Sequence, residues 1–295
     1  MDESLWRDFE TFYRAPQPLS WWLITAKAGS GKSRAALEFC KALETGKAEF
    51  RFPDETAEPI EVKPVAGENF SPWKTGFLNL AGTPFSTWKD WKPEQDTLLV
   101  FDRATKHYND GSRLCTGWQD GEEVRQRFNV AEIIKLLADK AEQGEFGRFR
   151  VRLLLLEREH AGRDWYKDVP VDSSLRFKNE PTPLPPVTPE GLFGIAQDVW
   201  KNVGVSPLPC DTSDAFLEKL FSVDSDRRPL FAMLLASAMT TDAEAAFSRS
   251  DVLKLALQGG YERVLRLAGE EGAAQAMRIL TLSTLTGGRL GACDL

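Results

Sequence analysis

The stretch Trp21-Trp22-Leu23-Ile24-Thr25-Ala26-Lys27-Ala28-Gly29-Ser30-Gly31-Lys32-Ser33 decides how this chain is read. It opens as an apolar run rich in strand formers and continues as a glycine-containing turn. Beyond the turn, Ala35, Ala36, Phe39, Cys40 and Leu43 recur at helical spacing. Strand, turn and helix N-terminus in this order build a cradle for phosphate. Consecutive backbone N–H groups point inward, and the helix dipole adds positive potential. The spacing fits G-x-x-x-x-G-K-[ST] except at its first position, where Ala26 stands for Gly. Alanine is accepted there while φ stays negative. Lys32 is then placed to reach β- and γ-phosphates, and the Ser33 hydroxyl to ligate Mg²⁺. A chance surface turn is the bland alternative, and the strand before and helix after weigh against it.

Asp96-Thr97-Leu98-Leu99-Val100-Phe101-Asp102 is the second signal. A continuous apolar run predicts a strand buried on both faces of a parallel sheet. An acid at its carboxyl end lies where α/β sheets place ligands, so Asp102 suits a Walker B carboxylate acting on Mg²⁺ through water. Read without the loop upstream, it is equally a solvated strand end. A helix with Val130, Ile133, Ile134 and Leu137 on one face follows a polar excursion over 105–128. Then Phe149-Arg150-Val151-Arg152-Leu153-Leu154-Leu155-Leu156 reads as another buried strand, ending at Glu157-Arg158-Glu159. Strand, helix, strand predicts a crossover that lays this run beside the Asp102 strand. Two roles are open to Arg158: reaching a γ-phosphate, or pairing with Glu157 or Glu159 on the rim.

Elsewhere the pattern is plainer. A short amphipathic helix carrying Leu5, Trp6, Phe9, Phe12 and Tyr13 precedes Pro16. Strand candidates between 44 and 95 are Ala48–Phe52, Ile60–Val65 and Gly76–Leu80. Six prolines between 170 and 189 mark a linker or extended connection. Past it everything is helical in pattern, with inward stripes Leu192, Ala196, Val199, Val203, then Phe216, Leu217, Leu220, Phe221. Arg228-Pro229 opens a third helix with Leu230, Leu234, Leu235 and Ala238 inward, proline sitting at its first turn. Further helices are expected at about 243–257 and 261–288. The expected fold is therefore α/β: a parallel sheet flanked by helices over 1–180, followed by a smaller all-helical domain over 187–295.

Composition narrows the classes of function. A chain of 295 residues holds a large core and, by length, two domains. A net charge of -7 and a pI near 5.2 argue against a general polyanion-binding surface, so no direct nucleic-acid partner is expected. Trp73, Trp88, Trp91 and Trp118 lie in loop-like stretches without clustered basic residues. They read as core anchors rather than a base-stacking platform. Cys40, Cys115, Cys210 and Cys293 are scattered, and with two histidines they offer no zinc pattern. No secretory segment and no run of 18 apolar residues is present, which predicts a cytoplasmic, membrane-free protein.

With these residues in view, the chain resembles the nucleotide-binding module of the STAND class of signal-transduction ATPases, related to NACHT proteins. The matching pieces are Trp22-Leu23-Ile24-Thr25 with the loop Ala28-Gly29-Ser30-Gly31-Lys32-Ser33-Arg34, and Trp73-Lys74-Thr75-Gly76-Phe77-Leu78. Leu98-Leu99-Val100-Phe101-Asp102, Val151 to Arg158, Leu184-Pro185-Pro186-Val187 and Arg228-Pro229-Leu230-Phe231 complete them. The likeness spans nearly the whole chain, although the loop alone is specific. It implies an ATP-driven switch that clamps ATP or ADP with Mg²⁺, the loop residues Ala28 to Arg34 holding the nucleotide. Ser33 and Asp102 would serve the metal, with Lys32, Asp102 and Arg158 as the reacting set. It also implies that Pro229 touches the nucleotide; a plain first-turn proline is the local alternative. Effector and sensor domains or proteins outside this chain, and nucleotide-dependent homo-oligomers, are the partners implied.

One departure bears on chemistry. Arg103 stands where strongly hydrolytic relatives carry a water-activating acid, and no acid follows until Asp110. The expectation is ATP binding with slow Mg²⁺-dependent hydrolysis. Two other classes stay open: a P-loop kinase acting on a small molecule, with Arg125, Arg127 or Arg163 in a lid, and a scaffold that holds nucleotide without hydrolysing it.

Overall fold

A computed structural model describes residues 3–48, 60–62, 70–78, 85–102, 104, 115–119, 122–126, 130–158, 165–167, 169, 171–206, 208–210, 212–240 and 247–255. Chain contacts divide it into two units, Met1–Val187 and Thr188–Leu295.

The first unit is built on a five-stranded sheet: β1 (Leu19–Ala26), β2 (Lys74–Phe77), β3 (Thr97–Asp102), β4 (Val151–Arg158) and β5 (Thr182–Pro183). Their order is β2-β3-β4-β1-β5, and every neighbouring pair is parallel. β1, β3 and β4 carry the three apolar runs, and their side chains are buried on both faces of the sheet. That explains why the runs do not alternate. β5 is an edge strand, where the donor that Pro183 lacks is not missed. It is fixed to β1 by the Trp22 Nε1–H donating to Thr182 Oγ1 at 2.7 Å.

One face is covered by α1 (Glu3–Arg14) and α2 (Lys32–Thr45). Trp22, Ile24, Leu98, Val100, Leu154 and Leu156 meet Phe9, Phe12, Ala36, Phe39 and Leu43 there. Phe9 lies flat on Phe39, with centroids 3.6 Å apart. α1 ends two residues before Pro16, whose ring disfavours helical backbone in the residue preceding it. Its last carbonyls are capped by Arg152, a fully buried guanidinium reaching from β4. Nε donates to Phe12 O at 2.9 Å, Nη1 to Gln17 O at 3.0 Å, and Nη2 to Ala15 O. The opposite face carries α3 (Phe85–Asp90) and α4 (Val130–Glu142). Trp88, Ile133, Ile134 and Leu137 pack there on Trp21, Leu23, Phe101, Leu153 and Leu155.

Several local expectations shift. The edge strand runs Lys74–Phe77 rather than from Gly76. Lys47–Ala48 pairs antiparallel with Ile60–Glu61, the described part of two expected strands. The polar excursion contains an antiparallel pair, Cys115–Gln119 with Glu122–Gln126. The Asp120-Gly121 dipeptide between its strands is a hairpin signal that the sequence carries. Trp73 and Trp88 are buried as anchors, and Trp91 packs against the same core as Trp88; the Trp118 side chain lies outside the described residues.

In the second unit, α5 (Pro189–Val203), α6 (Ser213–Val223) and α7 (Pro229–Met239) share one core around Trp200, whose Nε1–H donates to Ala236 O at 2.9 Å. The inward stripes differ from expectation. α5 buries Leu192, Ala196 and Trp200, while Val203 is 63% exposed at the helix end. Phe221 of α6 and Leu230 of α7 also face solvent, and Val223, Phe231 and Ala232 take the inward places. Where apolar residues outnumber the inward positions, periodicity alone does not choose among them. Of the two later helices, 249–255 is helical and 256–295 lie outside the described residues. Among the described residues no helix is long and apolar enough to cross a membrane.

Candidate functional site

Because the strands are parallel, their carboxyl ends share one edge of the sheet. β1 finishes there at Ala26, β3 at Asp102 and β4 at Arg158. The loop from Lys27 to Gly31 leaves this edge and enters α2. Gly29 (φ 82°) and Gly31 (φ 94°) take left-handed backbone, which strains any residue with a Cβ. Space around Gly31 is open, so its constraint is conformational rather than steric. Arg227 is the one non-glycine of positive φ among the described residues, so Ala26 keeps ordinary backbone, as its substitution for Gly requires.

The loop closes on itself and on the helix. Ser30 N–H donates to Lys27 O at 3.3 Å, and Ala35 N–H to Gly31 O at 2.9 Å. Lys32 Nζ lies across the turn, donating to Ala26 O at 2.7 Å and Lys27 O at 3.1 Å. The ammonium is thus held over the loop. Lys32, Ser33 and Arg34 form the first turn of α2, whose N-cap Gly31 has no side chain to satisfy their N–H groups. An uncapped helix start with a lysine over it favours an anion.

Asp102 reaches this turn from β3. Ser33 Oγ–H donates to Asp102 Oδ2 at 2.8 Å, joining residues 69 apart in sequence. Strand alternation puts Asp102 with Leu98 and Val100 on the α2 face, as the contact requires. A hydroxyl and a carboxylate this close form a hard oxygen pair that suits Mg²⁺. Mg²⁺ ordinarily takes one or two protein oxygens and completes its shell with phosphate and water. Among the described residues no group of three or more His, Cys, Asp or Glu side chains is arranged to hold a metal ion.

The remaining expected residues fall as follows. Ala28 is exposed on the loop, and Arg34 pairs with Glu38 one turn on, at 2.7 Å. Arg158 is exposed at the end of β4, on the α2 face with Leu154 and Leu156. Glu157 receives the Arg158 backbone N–H, at 2.6 Å, rather than its guanidinium; Glu159, Arg103 and Asp110 lie outside the described residues. Pro229 is the first residue of α7, within the second unit. The start of that helix is built by Asp224, a buried carboxylate that accepts from Arg228 Nε at 3.0 Å, Nη2 at 2.6 Å and the backbone N–H at 2.9 Å. Burial pushes the Asp224 carboxyl up, but the Arg228 hydrogen bonds outweigh it and hold it below the usual range. Asp224 raises Arg228 in turn.

One residue at this edge was read only as a rim partner. Glu157 is 6% exposed, and its register partner on β1 is Thr25, just before the loop. Nothing in its local sequence marks it, because register alone brings it there. In comparisons with known proteins, no family model matches the chain, and no curated protein is similar to it in sequence.

Proposed function

We propose that the first unit is a P-loop nucleotide-binding domain, and that the chain works as an ATP-dependent switch of the STAND kind, hydrolysing ATP slowly. The observation that carries this reading is the Ser33–Asp102 contact at 2.8 Å beneath an uncapped, lysine-bearing helix start. Ser33 and Asp102, 69 residues apart in sequence, meet at the carboxyl edge, where open α/β sheets bind ligands.

In this reading the backbone N–H groups of Ala28 to Arg34 hold the phosphates. Lys32 exchanges its loop carbonyls for β- and γ-oxygens, a shift of partners that keeps the ammonium in place. Ser33 and Asp102 would hold Mg²⁺, which neutralises charge on the β- and γ-phosphates when bound. Arg158, exposed at the same edge, would meet the γ-phosphate and distinguish ATP from ADP. The second unit is read as the helical domain of such a switch. Effector and sensor partners, and nucleotide-dependent self-association, belong to the same proposal.

Calorimetry with Mg·ATP tests it. Wild-type protein is expected to bind, and Lys32→Ala to lose at least a hundredfold in affinity. That is about 3 kcal/mol, the worth of one or two charge-assisted hydrogen bonds. Equal affinity in the two proteins would remove the site.

A further inference from the structure

Hydrolysis needs an acceptor for the proton of the attacking water. A guanidinium is no such acceptor, so Arg103 leaves the position after Asp102 without one. The sheet brings a different carboxylate to that edge. β4 lies between β1 and β3. Asp102 is in register with Leu156, and Glu157 with Thr25 of the loop strand. Glu157 therefore stands one row beyond Asp102, and one strand nearer the loop. Its Oε1 takes the Arg158 N–H at 2.6 Å, which holds the carboxylate at the strand end instead of letting it swing outward.

The face it occupies is the useful one. Asp102 and Ser33 share the α2 side, whereas Glu157 alternates with Leu153 and Leu155 on the opposite side. A carboxylate beside Asp102 would be drawn into the metal's own shell. One across the pleat would stay clear of such an ion while remaining at the same carboxyl edge of the sheet.

Resting on the nucleotide site proposed above, we infer that Glu157 is the general base of this site. The water oxygen bonds to the γ-phosphorus as the bond from that phosphorus to the β–γ bridging oxygen breaks. The bridging oxygen leaves with the electron pair as part of ADP, and the water proton passes to the Glu157 carboxylate and then to solvent. Products are ADP, inorganic phosphate and one proton. A base already committed to a backbone N–H, and set on a neighbouring strand, fits slow turnover.

The test compares full-length wild type, Glu157→Gln and Glu157→Asp in two readouts. Glutamine keeps an oxygen for the Arg158 N–H, so the strand end is preserved; aspartate keeps the charge but shortens the reach. Single-turnover hydrolysis of Mg·ATP should fall at least tenfold in Glu157→Gln, the low end of what a positioned base contributes. Aspartate should fall between the two. Independently of turnover, calorimetry with the β,γ-imido analogue of ATP should show Glu157→Gln binding it a few-fold tighter while ADP affinity is unchanged. The removed charge repels the γ-phosphate alone. Wild-type hydrolysis rates in Glu157→Gln, or a wild type that binds ATP without hydrolysing it, would overturn the inference and leave the site standing. A wild type that binds no ATP removes the site, and the inference with it.

Discussion

Replacing Arg152 with methionine removes the charged group that ties α1 to the sheet while nearly conserving volume. Four hydrogen bonds go: Nε to Phe12 O at 2.9 Å, Nη1 to Gln17 O and Val151 O at 3.0 Å each, and Nη2 to Ala15 O. Burial pushes the guanidinium down to about 9, still charged at neutral pH, so it also complements the negative end of the α1 dipole. Hydrogen bonds to a charged group are worth about 1.5–3 kcal/mol each. Against four of them stands the cost of desolvating the ion, several kcal/mol, leaving a net loss of about 3 kcal/mol. Replacing a buried ion with a hydrophobe is harmless when its partners are replaced as well. Here the carbonyls stay behind, facing a thioether that donates nothing. Urea unfolding followed by tryptophan fluorescence reports on this unit, since every tryptophan but Trp200 precedes residue 187. With a slope of about 3 kcal/mol per molar, the midpoint should fall by about 1 M. A midpoint unchanged or raised would mean that α1 is held by its aromatic face alone, through Phe9 and Phe39.

Two further outcomes are expected. Asp102→Asn should weaken the Mg²⁺ dependence of ATP binding by tenfold or more while Mg²⁺-free binding changes little, checked by titrating Mg²⁺ at fixed ATP; a uniform loss would place Asp102 on the phosphates instead. Asp224→Asn should destabilise the second unit by about 2 kcal/mol, because the buried carboxylate loses the charge on its hydrogen bonds from Arg228 Nε and Nη2. Since the Asp224 carboxyl sits below its unfolded value of about 4, its contribution is present above that pH and lost as pH falls through the folded value. Circular-dichroism melts of wild type should therefore drop on acidification below about pH 4, and those of the variant should flatten there.

The hydrophobic runs were enough to place β1, β3 and β4 in one parallel sheet, because strands buried on both faces leave no other reading for uninterrupted Leu, Ile, Val and Phe. The loop was legible too, since Gly29 and Gly31 stand where left-handed backbone is needed and Lys32-Ser33 follow them. Local chemistry writes such features into neighbouring residues. Strand order, register and face are settled between segments far apart, and no short window holds them. Thus Phe221 and Leu230 looked inward and are not, because only packing decides which of several apolar residues the core receives. Arg152 looked like one more position of an apolar strand, yet it caps a helix from the other end of the unit. In the same way Glu157 read as a rim acid, until the pairing of Asp102 with Leu156, and of Thr25 with Glu157, set it in the row just past Asp102.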